Sequence, residues 1–159
     1  MNPDQDYHWP DLAGRIVNRE HVMPVRVYYE DTDHSGVVYH ASYIRFCERG
    51  RSDFLRLIGV EHKDLRATEG GPDAYAVKRI EADFMHPAMI DDLLIVRTRL
   101  VEMRGASFLA RQKIERGETT VFSMNVLVVP ISREGRPRRF PKPVQDVFVS
   151  FLYREENSA

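Results

Sequence analysis

Residues 28–51, YYEDTDHSGVVYHASYIRFCERGR, change character half-way, and that change decides how the chain is built. The first half is rich in Asp, Thr, Ser and Gly, which form turns through backbone freedom or local side-chain hydrogen bonds, and it reads as a loop. From Tyr43 onward, Tyr43, Phe46, Cys47, Gly50, Phe54, Leu57 and Ile58 recur at spacings of three and four, with Glu48, Arg49, Arg51 and Arg56 on the other side. That is the apolar stripe of a helix, with Gly59 as its stop signal. A helix of about 17 residues spans roughly 25 Å, enough to run along a sheet of long strands. Gly50 costs about 1 kcal/mol in mid-helix relative to alanine, so it reads as a point of close approach to that sheet.

Upstream, Val25, Val27 and Tyr29 alternate with Arg26, Tyr28 and Glu30, the period-2 pattern of a first strand. Downstream of Gly70-Gly71 come four strand-like segments: Ala74 to Phe84, Leu93 to Met103, Ser107 to Glu115 and Thr119 to Ile131. The turn signals between them, Asp91-Asp92, Arg104-Gly105 and Arg116-Gly117, predict a meander of antiparallel neighbours. In the second strand the apolar parity shifts between Tyr75/Val77 and Ile80/Ala82/Phe84, which predicts a bulge near Lys78-Arg79. A basic, Pro-rich connection (132–143) then leads into a short amphipathic helix carrying Val144, Val147, Phe148, Phe151 and Leu152 and opened by Pro143. The expected architecture is α+β: a five-stranded antiparallel sheet around one long helix, with a short C-terminal helix. Residues 1–20 read as a polar extension, 21–154 as a single domain and 155–159 as a tail, with Asn157 to Ala159 a frayed end. Leu94, Val96 and Leu100 oppose Leu93, Ile95 and Val101, so the sheet is apolar on both faces and one helix cannot cover it. A partner subunit is implied.

Composition narrows the function classes. Lys and Arg total 23 against 24 Asp and Glu, a net charge of −1, so no global field draws the chain to nucleic acid or an anionic membrane. One cysteine, Cys47, excludes an internal disulfide, and the first ten residues hold no apolar run of signal-peptide type, so a reducing cytoplasm is the expected setting. No window reaches the roughly 18 to 20 consecutive apolar residues of a membrane span.

The string DTD-x-x-GVVYHASY-x-R-F-x-ER-x-R closely resembles the hotdog-fold thioesterases of the 4-hydroxybenzoyl-CoA type, and within them the Tol-Pal-associated acyl-CoA thioesterases. The resemblance extends over about Val25 to Val129. It implies a hotdog fold, hydrolysis of an acyl-CoA thioester to free acid and coenzyme A, and Asp33, the second Asp of the D-x-D pair, as the catalytic carboxylate. It also implies that the His40 main-chain N–H at the helix start polarises the thioester carbonyl. The chemistry is reasonable in itself: thioester hydrolysis needs a carboxylate nucleophile or a carboxylate that activates water, and a helix N-terminus supplies unpaired N–H donors and partial positive charge. The His40 imidazole is a further candidate, able to hydrogen-bond Asp33, orient water or protonate the departing thiolate. Gly36 permits the tight turn, and Val37, Val38 and Tyr39 are candidate pocket residues. Glu48, two helical turns beyond His40, matches an acidic position of the resembled enzymes and is a weaker candidate. For the coenzyme A arm the resemblance points to Arg104, Gly105 and Ser107. Arg136 to Lys142 is a second basic place, with a solvated surface loop as its plainer reading.

Other readings are bounded by the same residues. An Asp in a strand-to-helix loop is often a turn former, which suits Asp31 better than Asp33. Asp31, Asp33, His34 and His40 lack the helical His pair or Cys cluster of a metal site, so no metal or other cofactor is expected beyond coenzyme A as part of the substrate. Cys47, on the apolar stripe with no base nearby, reads as a buried thiol. Dehydratase relatives of the hotdog need differently spaced His and acid motifs. A non-catalytic acyl-carrier or acyl-CoA binding module of an envelope or lipid-synthesis complex is the main alternative, and the intact Asp33 argues against it. The expected assembly is a dimer or dimer of dimers with sheets joined edge to edge; an acyl carrier protein is a possible partner, nucleic acid is not. His34-Ser35 departs from the string's common form, in which small Ala or Gly follows the second Asp.

Overall fold

A long helix, α1 (His40–Leu57), lies against an antiparallel sheet in the computed structural model of the chain, which describes residues 14–60 and 71–155. Tyr43, Phe46, Cys47 and Phe54 form its buried stripe, and Gly50 faces the sheet at its midpoint. A Cβ on Gly50 would stand 3.0 Å from Val96 Cγ1 and 3.2 Å from Thr98 Oγ1, so this glycine sets the helix-to-sheet distance. The helix ends where Gly59 turns left-handed (φ +83°).

Among the described residues the sheet has six strands, one more than expected: β1 (Arg15–Val17), β2 (Glu20–Arg26), β3 (Ala74–Phe84), β4 (Leu93–Arg104), β5 (Ser107–Arg116) and β6 (Thr119–Ile131). Their spatial order is β1-β2-β4-β5-β6-β3. β1 and part of β2 fall inside residues 1–20, which the sequence reads as an extension. The predicted first strand also sits too late, because the Asp31 carboxylate accepts the Tyr28 N–H (2.9 Å) and folds Tyr29–Asp31 into a 3-10 turn. Tyr29, expected to face the core, is 85% exposed.

The expected meander holds only for β4, β5 and β6. β3 pairs with β6 at the far edge, so Asp91-Asp92 closes no hairpin, and residues 85–92 carry the chain from that edge to β4, between β2 and β5. Turn chemistry marks where a strand ends but not which neighbour it will pair with. The predicted bulge is present, as a register shift between Val77 and Arg79. A second helix, α2 (Lys142–Ser150), closes the far end of the core by packing Phe148 on Phe108 and Phe140. On the sheet's outer face Ile95, Val101, Leu109, Leu127 and Val129 are half-buried beside a charged lattice of Glu20, Arg97, Arg99 and Glu115. Among the described residues no helix is long and apolar enough to cross a membrane.

One buried ion-pairing cluster ties the N-terminal hairpin to α1. The fully buried His21 donates from Nε2 to Asp53 Oδ2 (2.7 Å), which also accepts the Gly14 N–H (2.6 Å), while Arg56 closes the group from outside. His21 Nδ1 has no partner among the described residues, and burial pushes the ring below its ordinary value of 6.5 despite Asp53. The folded chain therefore takes up this proton less readily than the unfolded chain, and stability is lost as pH falls from about 6.5 toward the folded value. The loss is at most about 1.4 kcal/mol per pH unit. Urea midpoints measured between roughly pH 7.5 and 5 should fall in the wild type and fall less steeply in His21→Gln.

Candidate active site

Loop 31–39 is held from both sides. Asp31 is buried and caps the 3-10 turn, and its carbonyl accepts the Tyr39 N–H (2.8 Å), so the turn-forming reading of Asp31 fits. Asp33 N–H donates to Val37 O (3.0 Å) and Gly36 N–H to Asp33 O (3.1 Å), with Gly36 at φ +82°, where a side chain would strain. Val37 bridges Met89 and Val38 N–H donates to Ala88 O (2.8 Å), which pins the loop to the 85–92 link. The Tyr43 hydroxyl accepts the Ala88 N–H (2.9 Å) and fixes that link to α1 in turn.

This frame leaves Asp33 exposed in the loop that leads into α1. Its Oδ1 accepts both the Ser35 hydroxyl and the Ser35 N–H (2.8 Å), and these donors hold its carboxyl below the usual range, with smaller contributions from the rings of His34 and His40. No side chain caps α1, its first turn has no acidic residue, and the His40 N–H has no partner among the described residues. Donors and partial positive charge thus stand open beside a carboxylate, an arrangement able to stabilise an oxyanion while the carboxylate attacks or takes a proton.

The structure brings Asp33, Gly36, Val37, Val38, Tyr39 and His40 together. Val38 is buried and Tyr39 exposed, so Tyr39 is the better placed to meet a ligand. The His40 ring packs on Tyr39 (centroids 4.4 Å) and edge-on toward Phe84 (6.3 Å) and makes no hydrogen bond to Asp33. Tyr43, Phe84 and Phe122 continue this aromatic wall, with Phe84 half-exposed at the end of the edge strand. Sequence reading missed Phe84, because only the β3–β6 pairing carries it to α1. Glu48 stays apart: it accepts the Ser52 hydroxyl (3.1 Å) in a groove between α1 and β2 and has no bond to Asp33 or His40 among the described residues. Cys47 is buried, and burial pushes its thiol up to about 12, which removes it as a nucleophile.

Arg104 and Ser107 border a cavity of about 480 Å³ on the sheet's outer face, with Lys78 and Arg79 across it and Leu109 and Val129 among its apolar lining. The two basic places of the sequence meet here: the Arg139 guanidinium lies over Gly105, and Phe140 N–H donates to Gly105 O (2.9 Å). Within one chain this cluster and Asp33 sit at opposite ends of the strands. β4 begins beside Val27 and the Asp33 loop and ends at Arg104, and β3 runs from Ala74, paired with Ile131, to Phe84, paired with Phe122.

Residues 27–148 match the Thioesterase-like superfamily. The chain belongs to that superfamily. A superfamily relative from Escherichia coli, the acyl-CoA thioester hydrolase YbgC, is 41% identical over 123 residues, covering 76% of this chain and 90% of the relative. The crystal structure of a probable thioesterase from Bartonella henselae is 43% identical, with a TM-score of 0.72 over 77% of this chain and 99% of the other. The 4-hydroxybenzoyl-CoA thioesterase of Pseudomonas sp. strain CBS-3 shares the fold at 22% identity, with a TM-score of 0.73 over 81% and 99% of the two chains. The hotdog fold expected from the sequence is thus the fold of the superfamily.

Proposed function

We propose that the chain hydrolyses acyl-CoA thioesters, with Asp33 as the reacting carboxylate and the His40 N–H as oxyanion donor. The observation that carries this reading is the exposed, ionised carboxylate beside the uncapped start of α1. The activity named for the YbgC relative agrees with it. In the general-base form, water gives a proton to Asp33 as its oxygen adds to the carbonyl carbon. The oxyanion then collapses, the C–S bond breaks, and the thiolate leaves as coenzyme A, taking the proton back. In the nucleophilic form Asp33 attacks first, and water then hydrolyses the resulting anhydride. Neither form calls for a metal or redox cofactor, and the substrate class fits a cytoplasmic setting.

The working unit in this reading is a homo-oligomer, a dimer or dimer of dimers. β3 is an edge strand whose Phe84 end neighbours the Asp33 loop, with Tyr39, Met85 and Met89 exposed nearby. An antiparallel, two-fold pairing of β3 with β3 of a second copy reverses the strand ends. It sets the Asp33 end of one protomer beside the basic end of its partner, which brings together what a single chain holds apart. Arg104 and Ser107, with Arg139 near them, then meet the coenzyme A phosphates.

The test is release of free coenzyme A from a panel of acyl-CoAs of graded chain length plus an aromatic member, for wild type and Arg104→Ala. Wild type should turn over at least one member. Arg104→Ala should raise KM about tenfold at unchanged kcat, since it removes binding common to ground and transition states. A wild type that binds coenzyme A yet releases none from any member would replace this reading with a non-catalytic acyl-CoA binding module.

A further inference from the structure

Both hydrogen bonds that hold the Asp33 carboxylate come from one residue and land on one oxygen. Ser35 N–H donates to Asp33 Oδ1 at 2.8 Å, and the Ser35 hydroxyl donates to the same atom. Asp33 Oδ2 has no partner among the described residues. The main chain beneath is already fixed by the Asp33–Val37 and Gly36–Asp33 hydrogen bonds, so the remaining freedom is that of the side-chain torsions. An aspartate on an exposed turn samples several such rotamers, and a double tether on one oxygen selects one of them.

We infer that Ser35 is a positioning residue for the reaction: its hydroxyl locks Asp33 through Oδ1 and leaves Oδ2 as the oxygen that meets the thioester or the water. The inference rests on Asp33 being the reacting carboxylate, as proposed above. Closing the turn does not account for the hydroxyl, because the N–H of any residue at position 35 supplies the backbone bond. The hydroxyl is an added donor, present because this chain carries Ser at 35.

The same two bonds favour the ionised carboxylate. The hydroxyl is the largest cause of the lowered Asp33 value, followed by the Ser35 N–H, with slight burial acting the other way. The other charged groups acting on Asp33 are the rings of His34, beside it in the turn, and His40, at the first residue of α1. Substitution at Ser35 leaves both in place. The hydroxyl therefore has two separable effects: it orients the carboxylate, and it keeps it ionised into more acidic solution.

The experiment compares kcat and kcat/KM of wild type, Ser35→Ala, Ser35→Thr and Asp33→Asn from about pH 4 to 8, using the full chain and the acyl-CoA it turns over best. Ser35→Ala should lower kcat about tenfold at neutral pH through loss of alignment and move the acid limb of kcat/KM to higher pH. Ser35→Thr, which keeps the hydroxyl, should restore both. A Ser35→Ala limb that coincides with wild type overturns the inference, as does equal impairment of the Ala and Thr variants. The underlying reading fails separately, through an Asp33→Asn variant that turns over like wild type.

Discussion

Asp33→Asn is expected to lower kcat by about 10²–10⁴-fold, the range for removal of a positioned acid–base group, and to leave the fold and coenzyme A binding in place. Asp33 is exposed and its side chain bonds only Ser35 among the described residues, so little of the folded state depends on its charge. Asparagine keeps the Oδ1 acceptor and the shape while removing the group that can attack or take a proton. The unfolding midpoint should stay within about 0.5 kcal/mol of wild type, as for a surface change away from any packing contact. Single-turnover assays on the acyl-CoA that wild type favours, with calorimetric binding of coenzyme A to both proteins, separate loss of chemistry from loss of binding. A variant that loses binding as well would give Asp33 a structural role that its exposure argues against.

Gln112→Leu is expected to destabilise the chain by about 2–4 kcal/mol, without altering any group at the candidate active site. Gln112 lies fully buried under α1 on the middle of β5 and joins three partners: it accepts from Arg51 Nη1 (2.8 Å) and donates to Cys47 O and Thr98 Oγ1 (both 2.8 Å). Burial already lowers the Arg51 pKa, which signals the cost of holding a guanidinium there, and no carboxylate pairs with it among the described residues. Leucine fills similar volume but leaves that cation without its acceptor and a helix carbonyl without its donor. Urea unfolding of Gln112→Leu, Arg51→Met and the double variant reads this out. The double variant should recover part of the loss, because apolar replacement of a buried polar group is gentler than orphaning its partner. Additive losses would mean that the two side chains act independently.

Much of this fold is legible in local pattern. The limits of β3 and β6, the bulge at Val77/Arg79, the stripe of α1 apart from the exposed Leu57 and the buried Arg51, and the role of Gly50 follow from periodicity or from a residue that costs stability unless packing requires it. What was not legible is relational. The placement of β3 beside β6 depends on pairing across nearly the whole sheet, and β1–β2 is set by the buried His21–Asp53 contact, whose partners lie 32 residues apart. At the candidate site, the string singled out Asp33 and His40 but could not place Phe84 beside them, nor separate Arg104 from Asp33 by the length of a strand. It also gave no hint that Arg139 covers Gly105, so two basic places counted as alternatives form one cluster.

The Gly50 contact has a mechanical side. His40 lies ten residues before Gly50 on the same helix, a rigid arm of roughly 15 Å. Where Gly50 rests on Val96 and Thr98 the arm has its fulcrum, and a tilt of about 4° there would swing the His40 amide by about 1 Å. Displacements of that size at a reacting centre cost on the order of 10²-fold in rate. A glycine chosen for its lack of a side chain thus acts at a distance as the element that keeps the proposed oxyanion donor in aim.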